Sequence, residues 1–528
     1  MKKYLFLAAA ALGFAACAEK GLDNGPVNNG ELEQSYVAIT LAADDMATKV
    51  GTNPGGVYAE GTEDERAVSC AYVFFFKNGY AFPVTLTDGT STNKGENNYL
   101  PVTLKGNKQN LENVSDIKDA VLILQKYKGE YPDQIVAVLN WHPEKESYTL
   151  DELKTVVTQI RDKERGYVMS NAVYANNASE TVDAVALTAA NIAKTEEEAL
   201  NNPVTIYVER IAAKVEFSAN NHGKFEVGKI GETTVWAQIK GFELYNDYET
   251  SRLIKKIDTK WTTADLGFNW NDSEWYRSYW ATSIDEGFTN NEFSWNTDNV
   301  ALGSFTYCGE NTRTWSLVDD VRTKVIVKAQ LVTTKDGKDV PVTVANWWGN
   351  DYIGEDALLD VVANTLKNTY FTSTDKVNFT GLTPDQIKCV ARDPMDKNAY
   401  EVYFAIDDDS QSLNWYKYEN NTYTAIKLEE LNNELSKVRP AHVYTEGMTY
   451  YWTNIKHLGQ EGKTGEFGVV RNHVYKVNIS GITGYGTPVY NGATGFLTPE
   501  KPVDINSFVS AQINILSWRV VANDYPLN

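Results

Sequence analysis

Histidine, cysteine and methionine are scarce in this chain: five, four and five residues among 528. So little imidazole and thiol leaves almost no material for a transition-metal site or a nucleophile–base pair. Basic residues are also in deficit, 49 Lys plus Arg against 70 Asp plus Glu, for a net charge of −21. A surface of that sign repels phosphate backbones, which excludes nucleic acid as a partner class. After the N-terminus, no run approaches the roughly 18 apolar residues that a membrane-spanning helix needs. Motifs of nucleotide binding and common hydrolysis are missing too: GxxxxGK[ST], GxGxxG after a strand, HExxH, GxSxG and CxxC. Residues 115–118 match SxxK without its companion motifs. The run Asp407, Asp408, Asp409 lacks the alternating ligands and distal Glu of a calcium loop and reads as a solvated turn. His473 has no partner by spacing and reads as structural. No catalytic residue, metal site or cofactor is expected, and the chain is read as not an enzyme. What it does hold is apolar and aromatic: 42% hydrophobic residues, with 31 Tyr and 13 Trp. That composition suits sheets with sizeable cores, and the length suits two to four domains.

The first 17 residues read as an address. Lys2 and Lys3 precede ten apolar residues (5–14), too few to span a bilayer, and Ala15 and Ala16 precede Cys17. The order resembles a bacterial lipoprotein signal, in which Cys17 is acylated and becomes the mature terminus; the alternative is an ordinary secretory signal with an incidental cysteine. Either way the mature chain is exported. The other cysteines, Cys70, Cys308 and Cys389, are odd in number and far apart, so no disulfide framework is expected and buried free thiols are the simpler reading.

Residues 18–35 are polar and Gly/Asn-rich and read as a tether. Residues 36–41 alternate, with Val37, Ile39 and Leu41 on one face, as in a half-buried strand. A loop over 42–67 follows, with only two basic residues, Lys49 and Arg66. A strand isolated between two loose segments is open to removal. From Val68 strands dominate, including 69–76 and 133–141. Thr149 and Glu152 form a capping box that opens an amphipathic helix expected to reach about Ile160. Along 203–217, Val204, Ile206 and Val208 alternate on even positions and Ile211, Ala213, Val215 and Phe217 on odd ones. This phase flip at Arg210 marks either a bulge or a strand leaving one sheet for another domain, and the domain boundary is placed there. Further strands are expected at 235–245, 324–332, 401–405, 449–452 and 469–479. Val509, Ala511, Ile513 and Ile515 alternate along a last strand over 509–521, with Trp518 and Val520 continuing it after a register change. The expected fold is mainly β: two tandem β-sandwich domains (transthyretin/Ig-like) with small helical insertions.

Taken in order, the segments YVAITLAADDMATK (36–49), GTEDERAVSCAYVFFF (61–76), VAVLN (136–140), VERIAAKVEF (208–217), KVIVKAQL (324–331), TYYW (449–452), VVRNHVYKVNI (469–479) and INILSWRVV (513–521) resemble the fimbrillins. These are lipoprotein-derived pilus subunits of Bacteroides-type bacteria, and the chain is most similar to the shaft subunit of their short (minor) fimbriae. Residues 246–320 and 340–400 show no such likeness. The resemblance implies a signal over 1–17 lipidated (palmitate) at Cys17, and a propeptide over 18–49 that carries the removable strand. An N-terminal sandwich over 50–207 and a C-terminal one over 208–528 follow. It implies removal of the propeptide by a trypsin-like protease after Lys49, where close relatives have Arg, with Arg66 as second candidate. The groove left by Val37, Ile39 and Leu41 is then filled by the donor strand of a neighbour: Val509, Ala511, Ile513, Ile515, Trp518 and Val520. Three such side chains are worth about 5–9 kcal/mol of burial. Because donor and acceptor differ, the contact runs head to tail and builds a filament. Implied partners are copies of the chain, anchor and tip pilins, the protease, and a host protein or glycan; the membrane is met only through the precursor's lipid. The implied place is the outer membrane, then a surface fimbrium serving adhesion and biofilm formation. The alternative is a monomeric or anchor-type outer-membrane lipoprotein that binds glycan or host protein through the tryptophans clustered at 261–295.

Overall fold

The computed structural model describes residues 34–43, 61–84, 97–102, 118–125, 130–177, 180–257, 281–284, 300–312, 321–393, 400–459, 461–462, 465–491, 508–516 and 520–523. The protein is mainly β, as its alternating patterns predict. Cys17, Lys49, Trp518 and the tryptophans at 261–295 lie outside the described residues.

The N-terminal sheet is built from β1 (Gln34–Ala43), β2 (Ala71–Lys77), β3 (Tyr99–Val102), β4 (Lys118–Gln125), β5 (Gln134–Leu139), β6 (Met169–Asn171) and β7 (Val204–Arg210). Its strands lie in the order β2-β5-β6-β7-β1-β4, with β3 also paired to β2. In β2 the alternation is apolar on both sides. Ala71, Val73 and Phe75 join one core with Val37, Leu122, Val204, Ile206 and Val208. Phe74 and Phe76 join a second core that continues into the rest of the chain. A strand buried on both faces is a sheet interior, so its sequence reads as a continuous apolar run.

The chain changes sheets immediately after β7. Ile211 and Ala212 are fully buried, and β8 (Ala213–Ala219) pairs elsewhere. The phase flip at Arg210 is therefore a change of sheet rather than a bulge. Beyond it stand β9 (Lys224–Ile230), β10 (Thr233–Tyr245), β11 (Phe305–Cys308), β12 (Lys324–Lys335), β13 (Met448–Asn454), β14 (Val474–Thr483), β15 (Phe508–Leu516) and β16 (Val520–Asn523). One sheet runs β11-β8-β14-β15-β16, the other β9-β10-β12-β13. Their inner faces meet across one core, where Phe217 of β8 stacks on Phe242 of β10 with centroids 4.5 Å apart.

Residues 344–444 form an insert with its own core around Trp347, Leu358, Val362, Phe404, Trp415 and Leu435. Two expected elements are shorter in the structure. The Thr149 capping box is made, but its helix ends at Thr155 rather than Ile160, because residues 157–159 pair as a strand with 250–252. The strand expected from 469 begins at Val474, since Val469 to His473 are drawn into buried polar contacts instead.

Candidate assembly site

β1 lies inside its sheet, not at an edge. On one side it pairs antiparallel with β4 through eight positions, from Gln34 opposite Gln125 to Leu41 opposite Lys118. On the other it pairs in parallel with β7, from Ile39 opposite Val204 to Ala43 opposite Val208. Among the described residues β4 pairs with no other strand, so β1 is the hydrogen-bonded link between β4 and the rest of the sheet. Val37 is fully buried opposite Leu122 and belongs to the core beneath the sheet. Burying one such side chain contributes about 1.5–3 kcal/mol. Ile39 and Leu41 occupy the same parity of the strand. Without β1, the facing edges of β4 and β7 would each present a row of unpaired amides and carbonyls.

Arg66 closes a four-residue helix (Glu63–Arg66) whose capping box is Thr62 and Glu65. The Arg66 amide donates to the Thr62 carbonyl at 3.2 Å. The carbonyl before it, on Glu65, accepts from Arg210 Nε at 2.6 Å, and the carbonyl after it, on Ala67, accepts from Asn140 Nδ2 at 2.8 Å. A protease that reads extended backbone would have to undo all three bonds to cut at Arg66.

The Glu65 side chain anchors this segment to the sheet change. It is completely buried, pairs with Lys214 Nζ at 3.0 Å and accepts from the Tyr307 hydroxyl. Burial alone would raise its pKa, but Tyr307, the Thr62 amide and Lys214 outweigh burial and hold the carboxyl below its usual value. Arg210 is lowered to about 10 by burial and remains a cation at neutral pH. A second buried pair lies further on: Arg471, fully buried, meets Glu310 at 3.1 Å and donates to the carbonyls of Arg252 and Leu253. Glu209, at the end of β7, is buried as well. Neither of its carboxylate oxygens has a hydrogen-bond partner among the described residues, and burial raises its pKa against the pull of Lys255 and Arg471. Sequence reasoning missed these charges. The signal was present in VERIAAKVEF, where Glu209, Arg210 and Lys214 interrupt an apolar run.

At the other end of the chain, β15 pairs antiparallel with β14, from Val474 opposite Leu516 to Thr483 opposite Phe508, with a bulge at Ile479/Gly481. Ala511, Ile513 and Ile515 stand in register with Ile479, Val477 and Tyr475, and Val509 with Ile482. A single strand over 509–521 is not what forms. The chain reverses, and β16 pairs back on β15 with Val520 opposite Leu516 and Val521 opposite Ile515. The physical reason is local. Closing so short a loop costs little entropy, and the return strand satisfies the outer edge of β15. The phase change between Ile515 and Trp518 thus reflects a hairpin, not a register slip. His473 is buried, with Nδ1 facing the Arg471 carbonyl at 2.8 Å, and Asp407 caps a short 3-10 turn. Cys70, Cys308 and Cys389 are free thiols, the last two buried.

Residues 442–524, which contain β13 through β16, match the family model described as major fimbrial subunit protein type IV, fimbrillin, C-terminal. No curated protein matches the chain. Three solved structures overlap it loosely, each covering 93% of this chain and 98% of its own. They are a candidate cell adhesion protein from Parabacteroides distasonis (13% identity, TM-score 0.35), another from Bacteroides eggerthii (12%, 0.37) and a fimbrilin from Porphyromonas gingivalis (12%, 0.35). The family match carries the assignment: through residues 442–524 this chain is a fimbrillin of the Bacteroides type.

Proposed function

We propose that this protein is the shaft pilin of a surface fimbrium, polymerising by protease-triggered donor-strand exchange. The observation that carries the reading is the position of β1, which alone joins β4 to its sheet among the described residues and sits on a separable N-terminal segment. In this reading Cys17 is lipidated and the precursor is held at the outer membrane. A trypsin-like protease then cuts after Lys49; Arg66 is disfavoured, because the backbone around it is engaged. Propeptide 18–49 leaves with β1, and the slot between β4 and β7 takes the donor strand of the next subunit, centred on Val509, Ala511, Ile513 and Ile515. Trp518 and Val520 belong to the return arm that must open. The working domains are 50–207 and 208–528, and the partners are copies of the chain with anchor and tip pilins. Adhesion and biofilm formation follow from the filament.

The test is to treat the precursor lacking residues 1–17 with a trace of trypsin-like protease and run unheated SDS gels with N-terminal sequencing. A ladder of multimers with a new terminus at Val50 is expected, and Lys49→Gln should remove both. A cut after Lys49 that yields monomer alone rejects the shaft reading. An uncut, monomeric chain favours a lipoprotein that stays anchored.

A further inference from the structure

The insert at 344–444 carries a sheet face that strand exchange does not use. Its strands 370–372, 415–419 and 422–425 lie side by side. Cross-strand register separates the two faces. Tyr370 pairs with Lys417 and Thr372 with Trp415, and this face packs inward, with Tyr370 and Trp415 in the insert core. Phe371 pairs with Tyr416, and Tyr418 with Tyr423, so these four project from the opposite face. None of them belongs to the insert core.

On that outer face the rings hold one another. Tyr423 lies edge-on to Phe371 at 5.0 Å and stacks flat on Phe379 at 3.8 Å, while Tyr418 sits 4.7 Å from Tyr423. Tyr423 remains 38% exposed on an edge strand whose four residues are all exposed. The loop that delivers Phe379 is preset. The Asp375 carboxylate accepts from the amides of Val377 and Asn378 and from the Asn378 side chain, and those bonds hold it far below the usual carboxylate range. A rigid loop and an aromatic surface with no layer over it among the described residues form a preorganised platform rather than a loose apolar patch.

The electrical character of the rim chooses the occupant. The carboxylates of Asp375 and Glu419 are both engaged, the latter by Lys417, which also pairs with Glu434 at 2.9 Å. A cation would find no ready ligand there, and a polyanion would meet a chain of net charge −21. The rim supplies amides and hydroxyls instead, as in the Asn420–Asn421 turn, where Asn421 Oδ1 accepts from the Tyr418 hydroxyl at 3.4 Å. A ligand with an apolar face and an uncharged hydroxyl edge matches both parts. We infer that this face of the insert binds a neutral carbohydrate, with a pyranose ring stacked over Tyr423 and Phe371. The inference rests on the insert alone and stands or falls separately from strand exchange.

The experiment is native affinity electrophoresis of the chain from residue 18 onward in gels containing mannan, dextran or galactan. Retardation by at least one of the three is expected. Tyr423→Ala and Phe371→Ala should weaken it about three- to tenfold, the range for a lost ring stack. Tyr423→Phe should keep it, as should Tyr80→Ala, which removes an exposed ring elsewhere (73% exposed). Because Phe371→Ala is the variant more apt to disturb folding, Tyr423→Ala decides, with an unchanged near-UV circular dichroism spectrum as the control. Absence of retardation in all three gels overturns the inference, and so does retardation that Tyr423→Ala leaves intact. Sedimentation velocity closes the remaining case: self-association lost in Tyr423→Ala without retardation overturns it in favour of a protein–protein face.

Discussion

β1 and the terminal hairpin are both short β segments near a chain end, and each fills an interior position of a sheet. β1 is a bridge. Remove it and β4 loses its hydrogen-bonded partner, while β7 gains an open edge. The hairpin is peripheral. Remove β15 and β16 and the sheet shortens from five strands to three, with β14 as its new edge. The first loss leaves a slot with two walls, and the second leaves one wall. A strand that must be replaced belongs in the two-walled site, because two rows of backbone groups and a core position are then satisfied at once. A strand that must be given away belongs at the periphery, where release disturbs least. Each region is also pinned by a buried ion pair, Glu65 with Lys214 beside the N-terminal segment and Glu310 with Arg471 just before β14.

The largest expected effect breaks the second pin. Glu310→Gln leaves the Arg471 guanidinium buried without its counter-ion and should cost about 3–5 kcal/mol, read from the urea midpoint. A loss under about 1 kcal/mol would mean that the platform for β15 does not depend on that pair. Next comes the bridge itself. Val37→Ala should cost about 2 kcal/mol for two lost methyls and the space they leave. In hydrogen exchange, 118–125 and 204–208 should lose protection together, roughly 30-fold for that cost, while 508–516 stays as it was. Protection of 118–125 that survives Val37→Ala would remove the bridge from the comparison.

A smaller effect, on the order of 1 kcal/mol, depends on pH. Burial raises the Glu209 carboxyl above its ordinary value of 4.5, so the folded state holds a proton that the unfolded chain has released. Stability therefore falls as pH rises from about 4.5 through the raised value, and Glu209→Gln should be more stable than the parent at neutral pH and equal to it near pH 4. Glu65 has the opposite sign. Its lowered pKa contributes stability that is present above about 4.5 and lost as pH falls through the folded value. Melting temperatures at the two pH values test both. The smallest change is Thr62→Ala, which deletes the cap of the Glu63–Arg66 helix for about 1 kcal/mol. It should speed tryptic cleavage after Arg66 about fivefold, and an unchanged rate would mean that the cap does not shield that bond.

The alternation at Val37, Ile39 and Leu41 was enough to read a strand, because a period of two reports a half-buried sheet wherever it lies. The Thr149–Glu152 box and the phase flip at Arg210 were legible for the same reason: each is set by residues a few positions apart. The buried charges were not. Glu310 meets Arg471 across 161 residues of chain, and Glu65 meets Lys214 across most of the N-terminal sheet, so no local pattern announces either pair.

By itself, then, the sequence determined the β character of the chain, the identity of its removable first strand, the alternating last strand and the sheet change at Arg210. Each of these follows from neighbouring side chains and their period. Tertiary structure alone decided that β1 bridges two other strands, that the chain reverses between β15 and β16, and that the charges of VERIAAKVEF are buried and paired. These depend on which distant segment lies opposite, and that is set by packing and pairing energies summed over the whole fold.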